Sequence, residues 1–353
     1  MTKPFDVSVV ISTFNRCEML LSALESVVQQ DNKEVTFELI VVDNSSTDNT
    51  AKLVRSFIDR GYPNVKYVYE GRKGLSYGRN AGIANSSAPL IAFTDDDVRV
   101  APNWVTTIWR AFKNYPDVDF LGGKVLPRWQ QTPPEWLTAD IWAGPLALVD
   151  EGDEPFLSTK SSVFFFPGAN FSFRRSVFEE IGLFDPRYQR IDDWVSSIED
   201  SELILRVIAN GGRGLYEPQA VVYADVQPDR MSKAYFRRWH SSRGRYRALL
   251  RLHEVLGPNG ELLETTSSEL RLFGSPAHLY RQCIRAFLNM VVFRIKRDHV
   301  NTLKHECDLR QSITYINQRW RTGTPEETER PVSQFFHFIF AFTKRKCMQL
   351  RLK

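Results

Sequence analysis

The feature that most constrains this chain is an alternation across its first hundred residues. Short β-branched apolar runs are followed by longer stretches whose apolar residues recur at helical spacing. Val7 to Ser12 ends at polar Thr13 and Asn15, and Leu20, Leu21, Leu24, Val27 and Val28 then share one helical face. Phe37 to Val42 closes on Asp43-Asn44-Ser45-Ser46, after which Thr47 to Arg60 reads as a helix stopped by Gly61. Two further strands, Val65 to Tyr69 and Leu90 to Thr94, bracket a helix from Tyr77 to Asn85. A βαβα series folds as a largely parallel sheet flanked by helices, so an α/β, Rossmann-like architecture is expected. In such a sheet ligands bind outside the carboxyl ends of the strands, which draws attention to Thr13 to Arg16, Asp43 to Ser46 and Asp95 to Asp97.

The remainder is less regular. Pro127 to Lys160, rich in Pro, Trp and acidic residues, reads as a long excursion. Regular structure is expected again at Val163 to Pro167 and in a helix from Glu199 to Asn210, stopped at Gly211-Gly212. After Ser232 the chain turns basic and helical. Residues 231–353 carry 23 Lys and Arg against 10 Asp and Glu, whereas residues 1–230 carry 23 against 32. Two parts are therefore predicted, a catalytic-sized domain over 1–230 and a basic helical extension over 231–353, meeting different partners. Four scattered cysteines argue for neither a disulfide framework nor a zinc site. No signal peptide is read at the N-terminus, and apolar runs such as Met290 to Phe293 and Phe335 to Phe342 fall short of a membrane span. The expectation is a cytoplasmic protein. Basic side chains set beside aromatics, from Arg237, Arg238, Arg243, Arg245, Arg247 and Arg251 to Lys344-Arg345-Lys346, suit either attachment to an anionic membrane surface or a solvated helical face. No nucleic acid is expected, because the aromatics cluster instead of interleaving with charge.

Three segments could carry chemistry. Asp95-Asp96-Asp97 follows a buried-looking strand, and its carboxylates need a cation or donors between them. A hydrated Mg²⁺ or Mn²⁺ shared with a diphosphate would serve, and so would a solvated turn. Gly74, Gly78 and Gly82 recur every four residues at a helix start with Arg79 among them. Their backbone amides could hold a diphosphate, or the glycines could allow tight packing. Glu199-Asp200 opens a helix, where carboxylates suit both capping and proton transfer.

Taken together, these segments resemble the family 2 glycosyltransferases, inverting enzymes of the GT-A fold, over roughly residues 6–245. Val9 to Arg16 is similar to their opening strand and nucleotide loop, and Glu38 to Asp48 to their second strand. Gly78 to Gly82 resembles the segment near the diphosphate, and Asp95 and Asp97 fall on the D-x-D positions. Gly168-Ala169-Asn170 through Arg174-Arg175, then Gly182 to Asp185, look like the acceptor-side segment, and Glu199-Asp200 like the E-D pair.

The resemblance implies that Thr13, Asn15, Arg16, Asp43, Arg79, Asp95 and Asp96 bind a nucleotide sugar, UDP-linked, with Asp97 as the metal ligand. Gly168, Asn170 and Arg174 would face the acceptor, and Glu199 and Asp200 would be catalytic, Asp200 as general base. The implied cofactor is Mn²⁺ or Mg²⁺, and the implied acceptor a glycan or polyprenyl-linked hydroxyl in cell-surface polysaccharide assembly. An inactive nucleotide-sugar-binding partner of other sugar enzymes is the alternative. Many relatives carry a histidine after the last core strand where this chain has Val221 to Asp225. All six histidines lie at or beyond His240, which leaves Asp225 as the substitute to consider. Arg238-Trp239 resembles part of a processive-synthase motif, but Tyr235 stands where its glutamine would, so a single addition is expected.

Overall fold

The computed structural model describes residues 5–31, 34–62, 64–190, 195–257, 259–263, 271–272 and 274–322. Two compact units emerge. One comprises residues 1–134, 138–192 and 197–231, and the other residues 135–137, 193–196 and 232–353.

In the first unit the expected series is present. The strands are β1 (Val7–Thr13), β2 (Phe37–Asp43), β3 (Val65–Tyr69) and β4 (Leu90–Asp95), separated by helices α1 (Cys17–Val28), α2 (Thr50–Asp59) and α3 (Leu75–Asn85). There follow β5 (Val98–Val100), α4 (Trp104–Asn114), β6 (Phe120–Trp129), α5 (Ala139–Leu146), β7 (Phe156–Ser158), β8 (Phe171–Arg174), α6 (Arg175–Glu180), α7 (Glu199–Ala209) and β9 (Gly214–Val226). Among the described residues these strands form one nine-stranded sheet in the order β3-β2-β1-β4-β8-β6-β9-β5, with β7 paired to β9. Six strands run one way, and β8, β5 and β7 run against them. This mixed, mostly parallel sheet flanked by helices is the architecture that the resemblance to the GT-A fold leads one to expect.

The side chains show why these segments choose these places. β2 is buried along its whole length, as a central parallel strand covered on both faces must be. The glycines of α3 serve close packing. A Cβ at Gly78 would strike the Ser12 hydroxyl, and one at Gly82 would strike Val10, so the helix lies directly against β1. Beneath the sheet's middle, Phe93, Phe171, Phe173, Phe178 and Phe184 form an aromatic cluster, with Phe171 and Phe173 ring centres 5.0 Å apart.

Two local expectations need correction. The excursion from Pro127 to Lys160 is partly regular, holding the end of β6, then α5 and β7. Val163 to Pro167 forms no strand. The segment is a loop whose rings pack on the sheet, Phe164 against Phe156 and the buried Phe166 against Phe120, and regular structure resumes after Pro167, with β8 beginning at Phe171.

The second unit is helical, with α8 (Lys233–Leu249), α9 (Leu252–Val255), α10 (Ala277–Ile295) and α11 (His299–Thr322). Ser232 caps α8 by accepting the Tyr235 amide at 3.1 Å. Ala248, Leu279 and Tyr315 are fully buried together. Beside them the buried Glu254 carboxylate lies 3.0 Å from Arg319 and 2.9 Å from Arg271. Arg237 makes a bidentate pair with Glu306, and Arg247 is half-buried, with desolvation pulling its pKa down to about 10. Phe335 to Phe342 and Lys344 to Lys346 lie outside the described residues.

Candidate active site

Parallel pairing of β1 with β2 and β4 sets Thr13 beside Asp43 and Ser12 beside Asp95, so the three loops picked out in the sequence share one sheet edge. There the acidic triplet is divided among separate partners. Asp96 turns inward, accepting from the Thr13 hydroxyl at 2.7 Å and from Arg16 at 3.1 Å. Burial raises its pKa to about 6 despite Arg16. Asp97 accepts from the same Arg16 nitrogen at 3.0 Å and has Arg230 at 3.7 Å. Burial opposes the charge on Arg16, but Asp96 and Asp97 outweigh it and raise the pKa of the guanidinium. Asp95 is the open member, its side chain 37% exposed.

Asp95 connects onward to a buried hub. Arg79, on the first turns of α3, lies 3.8 Å from Asp95 and donates at 2.9 Å to Glu199, the first residue of α7. Its guanidinium sits against the Phe171 and Phe184 rings, at 5.2 and 5.4 Å from their centres. Gly168 completes the enclosure, since a Cβ there would strike Arg79. Glu199 is 1% exposed, and its Oε2 has no hydrogen-bond partner. Burial raises its pKa to about 7, Arg79 pulls against that rise, and Asp200 adds to it. Asp200 follows on the same turn, less buried, with Oδ1 accepting the Ser201 amide at 2.6 Å. Asp95, Arg79 and Glu199, read separately in the sequence, thus form one connected series, and Asp200 is the next residue of the chain.

The nucleotide-loop residues are held by local bonds. Asn15 adopts φ 53° and accepts the Thr47 amide at 2.8 Å, joining the loops after β1 and β2. Asp43 accepts from the Ser46 amide and the Tyr67 hydroxyl, each at 2.8 Å.

Three sequence expectations are not met. Arg174 is not at this edge. β8 runs antiparallel to β4 and pairs Arg174 with Leu90, at the opposite end of the sheet, where it donates to the carbonyls of Phe112, Tyr115, Pro116 and Val118. Asn170 is fully buried and faces no acceptor. It accepts from Trp104 Nε1 at 2.8 Å and donates to the Lys124 and Ala220 carbonyls. Two of the amides at the start of α3 are also taken, Gly74 N by Asn44 Oδ1 at 2.7 Å and Ser76 N by Gln189 Oε1 at 3.1 Å, so these two are not open to an anion.

Other residues were missed. Arg230, beside Asp97, helps build this edge, as does Asn44, which lies in the segment Asp43 to Ser46 but was given no role there and ties the end of β2 to the loop before α3. Only proximity reveals them. Asp225 donates its amide to the Asp97 carbonyl at 2.9 Å, and its carboxylate lies 3.6 Å from Arg128.

Among the described residues no three His, Cys, Asp or Glu side chains converge as a metal cage. The available donors, Asp95 and Asp97, are hard carboxylate oxygens. Such a pair fits Mg²⁺ or Mn²⁺ that draws its other ligands from diphosphate and water.

Residues 8–182 match the family described as Glycosyl transferase family 2. The chain is 28% identical over 219 residues to glucosyl-dolichyl phosphate glucuronosyltransferase of Haloferax volcanii, covering 61% of this chain and 68% of that protein. It is 38% identical over 107 residues to validoxylamine A glucosyltransferase of Streptomyces hygroscopicus, but this covers 30% of this chain and a quarter, 25%, of the relative. In structure it is similar to a mannosyltransferase of Pyrobaculum calidifontis in complex with GDP-Man and Mn²⁺. The TM-score is 0.51 at 18% identity, over 93% of this chain and 79% of that one. It is also similar to residues 1–349 of S. aureus TarS in complex with UDP-GlcNAc, with a TM-score of 0.50 at 17% identity, over 87% and 92%. Identities this low speak for the fold.

Proposed function

The chain belongs to glycosyl transferase family 2 through residues 8–182, and from that premise we propose that it moves one sugar, with inversion, from a UDP-linked donor to a hydroxyl of a glycan or lipid-linked acceptor in cell-surface polysaccharide assembly. The observation that carries this reading is the connected series Asp95, Arg79 and Glu199 that starts at the carboxyl end of β4, with Asp200 following Glu199 in the chain. Asp200 takes the proton of the acceptor hydroxyl as its oxygen attacks the anomeric carbon and the bond to the diphosphate breaks. Arg79 faces the diphosphate, and its charge is fixed in place by Glu199 and two aromatic rings before the reaction begins. Glu199 therefore acts by positioning Arg79. Thr13 and Arg16 order Asp96 and Asp97, while Asn15 and Asp43 shape the nucleotide loop. Asp97 and Asp95 would hold Mn²⁺ or Mg²⁺, which when bound neutralises charge on the departing diphosphate. The basic second unit would meet an anionic membrane surface.

Asp200→Asn tests the proposal. Transfer should fall by about 10²- to 10⁴-fold while UDP still raises the melting temperature. Transfer near the wild-type rate would remove Asp200 as the base.

A further inference from the structure

Among the described residues α10 packs through one face. Leu279 and Ala286 are buried, and Phe293 stacks on His305 of α11 with ring centres 5.4 Å apart. At 100° per residue the opposite face carries Ile284, Phe287, Leu288, Val291, Val292 and Ile295, which are between 37% and 76% exposed. This spacing, i, i+3, i+4, i+7, i+8 and i+11, makes a continuous apolar stripe about 140° wide on the outer side of the helix. Arg281, Arg285, Arg294, Lys296 and Arg297 are exposed as well, and residues 277–297 hold no Asp or Glu. On the helical wheel Arg285 and Arg294 border the stripe on its two sides.

We infer that this face of α10 is a membrane-docking surface, lying in the plane of an anionic bilayer with the stripe among the acyl chains and the basic residues on lipid phosphates. The inference deepens the membrane-surface part of the proposed function and is independent of the transfer chemistry. Three observations select this occupant. No helix among the described residues is long and apolar enough to cross a membrane, and α10 has Arg281, Arg285 and Arg294 within its span, so contact with a bilayer would be along its surface. A second copy of the chain would set the same all-cationic helix against itself across a two-fold axis, which repels. An anionic lipid surface matches both the charge and the apolar stripe.

The test uses the full chain in flotation with vesicles of phosphatidylcholine alone or mixed with phosphatidylglycerol. The protein should float with the anionic vesicles and be released by added salt. Phe287→Ser with Ile295→Ser should weaken partitioning by about tenfold or more, and Arg281→Gln with Arg285→Gln by about 30-fold. The melting temperature should hold, because all four side chains are exposed. If wild-type protein fails to float, the membrane-surface reading and this inference fall together. If it floats and the Phe287/Ile295 variant floats equally, the lipid contact lies elsewhere, as in residues 323–353, and α10 is wrongly assigned. Sedimentation showing a wild-type dimer that Phe287→Ser dissociates would give the face to a second copy and overturn the inference.

Discussion

Replacing Glu199 with Gln removes a buried carboxylate while keeping the shape that Arg79 packs against. In the folded protein burial raises the Glu199 pKa from 4.5 to about 7. Between those values the native state holds a proton that the unfolded chain has released. The stabilisation from this proton is complete below about pH 4.5 and is lost as pH rises through about 7. Integrating the two titrations, wild-type protein should lose about 2 kcal/mol between about pH 5.5 and 8 relative to the Gln variant, which has no proton to lose. For a unit of this size that is a relative shift of about 4–8 °C. The assay is a pair of thermal or denaturant melts of both proteins at the two pH values, reading only the change in their difference. The expected sign is a difference moving toward the variant at high pH. A difference that stays constant, or moves the other way, would mean that Arg79 keeps Glu199 ionised throughout and that burial does not dominate here.

Arg174→Ala should cost about 1.5–3 kcal/mol by freeing four carbonyls, yet leave transfer per folded molecule unchanged; a folded variant with much slower transfer would return Arg174 to the site. Asn170→Ala strands Trp104 Nε1 and two backbone carbonyls, so a loss of about 3 kcal/mol or more in denaturant melts is expected. A neutral result would show that these groups find other partners. In a thermal-shift panel of UDP, GDP, dTDP and CDP with Mn²⁺, Mg²⁺ or EDTA, UDP with a metal should stabilise by about 2.7 kcal/mol at a hundredfold excess over its Kd, and Asp97→Asn should abolish the shift. Stabilisation indifferent to EDTA would exclude Asp97 as a metal ligand.

The first four strands and three helices were legible because their periodicity is local. Each β-branched run ends at a polar residue, and each following helix repeats at its own spacing. The sharing of one edge by Asp43 and Asp95 followed from parallel topology. Strand direction was less accessible. The segment Phe171 to Arg174 reads the same either way, but because β8 runs antiparallel its last residue lies at the far end, which is why Arg174 was misplaced. The Val163 to Pro167 run misled because a phenylalanine-rich segment can bury its rings from a loop as readily as from a strand. The glycines of α3 suited both packing and anion binding in the sequence, and the contacts with Ser12 and Val10 favour packing. The pairing of Arg79 with Glu199 spans 120 positions, a distance at which no local pattern connects two residues.

The place of β8 has a consequence for how the chain is made. It sits between β4 and β6 in the sheet, though both precede it in the sequence. During synthesis β1 to β4 can assemble as an open sheet, but the backbone edge of Leu90 to Phe93 must wait for residues 171–174 before it is paired. Until then the nascent chain presents an apolar strand with free hydrogen-bonding groups to any neighbour that can add to it. Truncations ending before residue 171 should therefore aggregate even though they contain the whole of β1 to β4, and the shortest soluble fragment of the sheet must extend past Arg174.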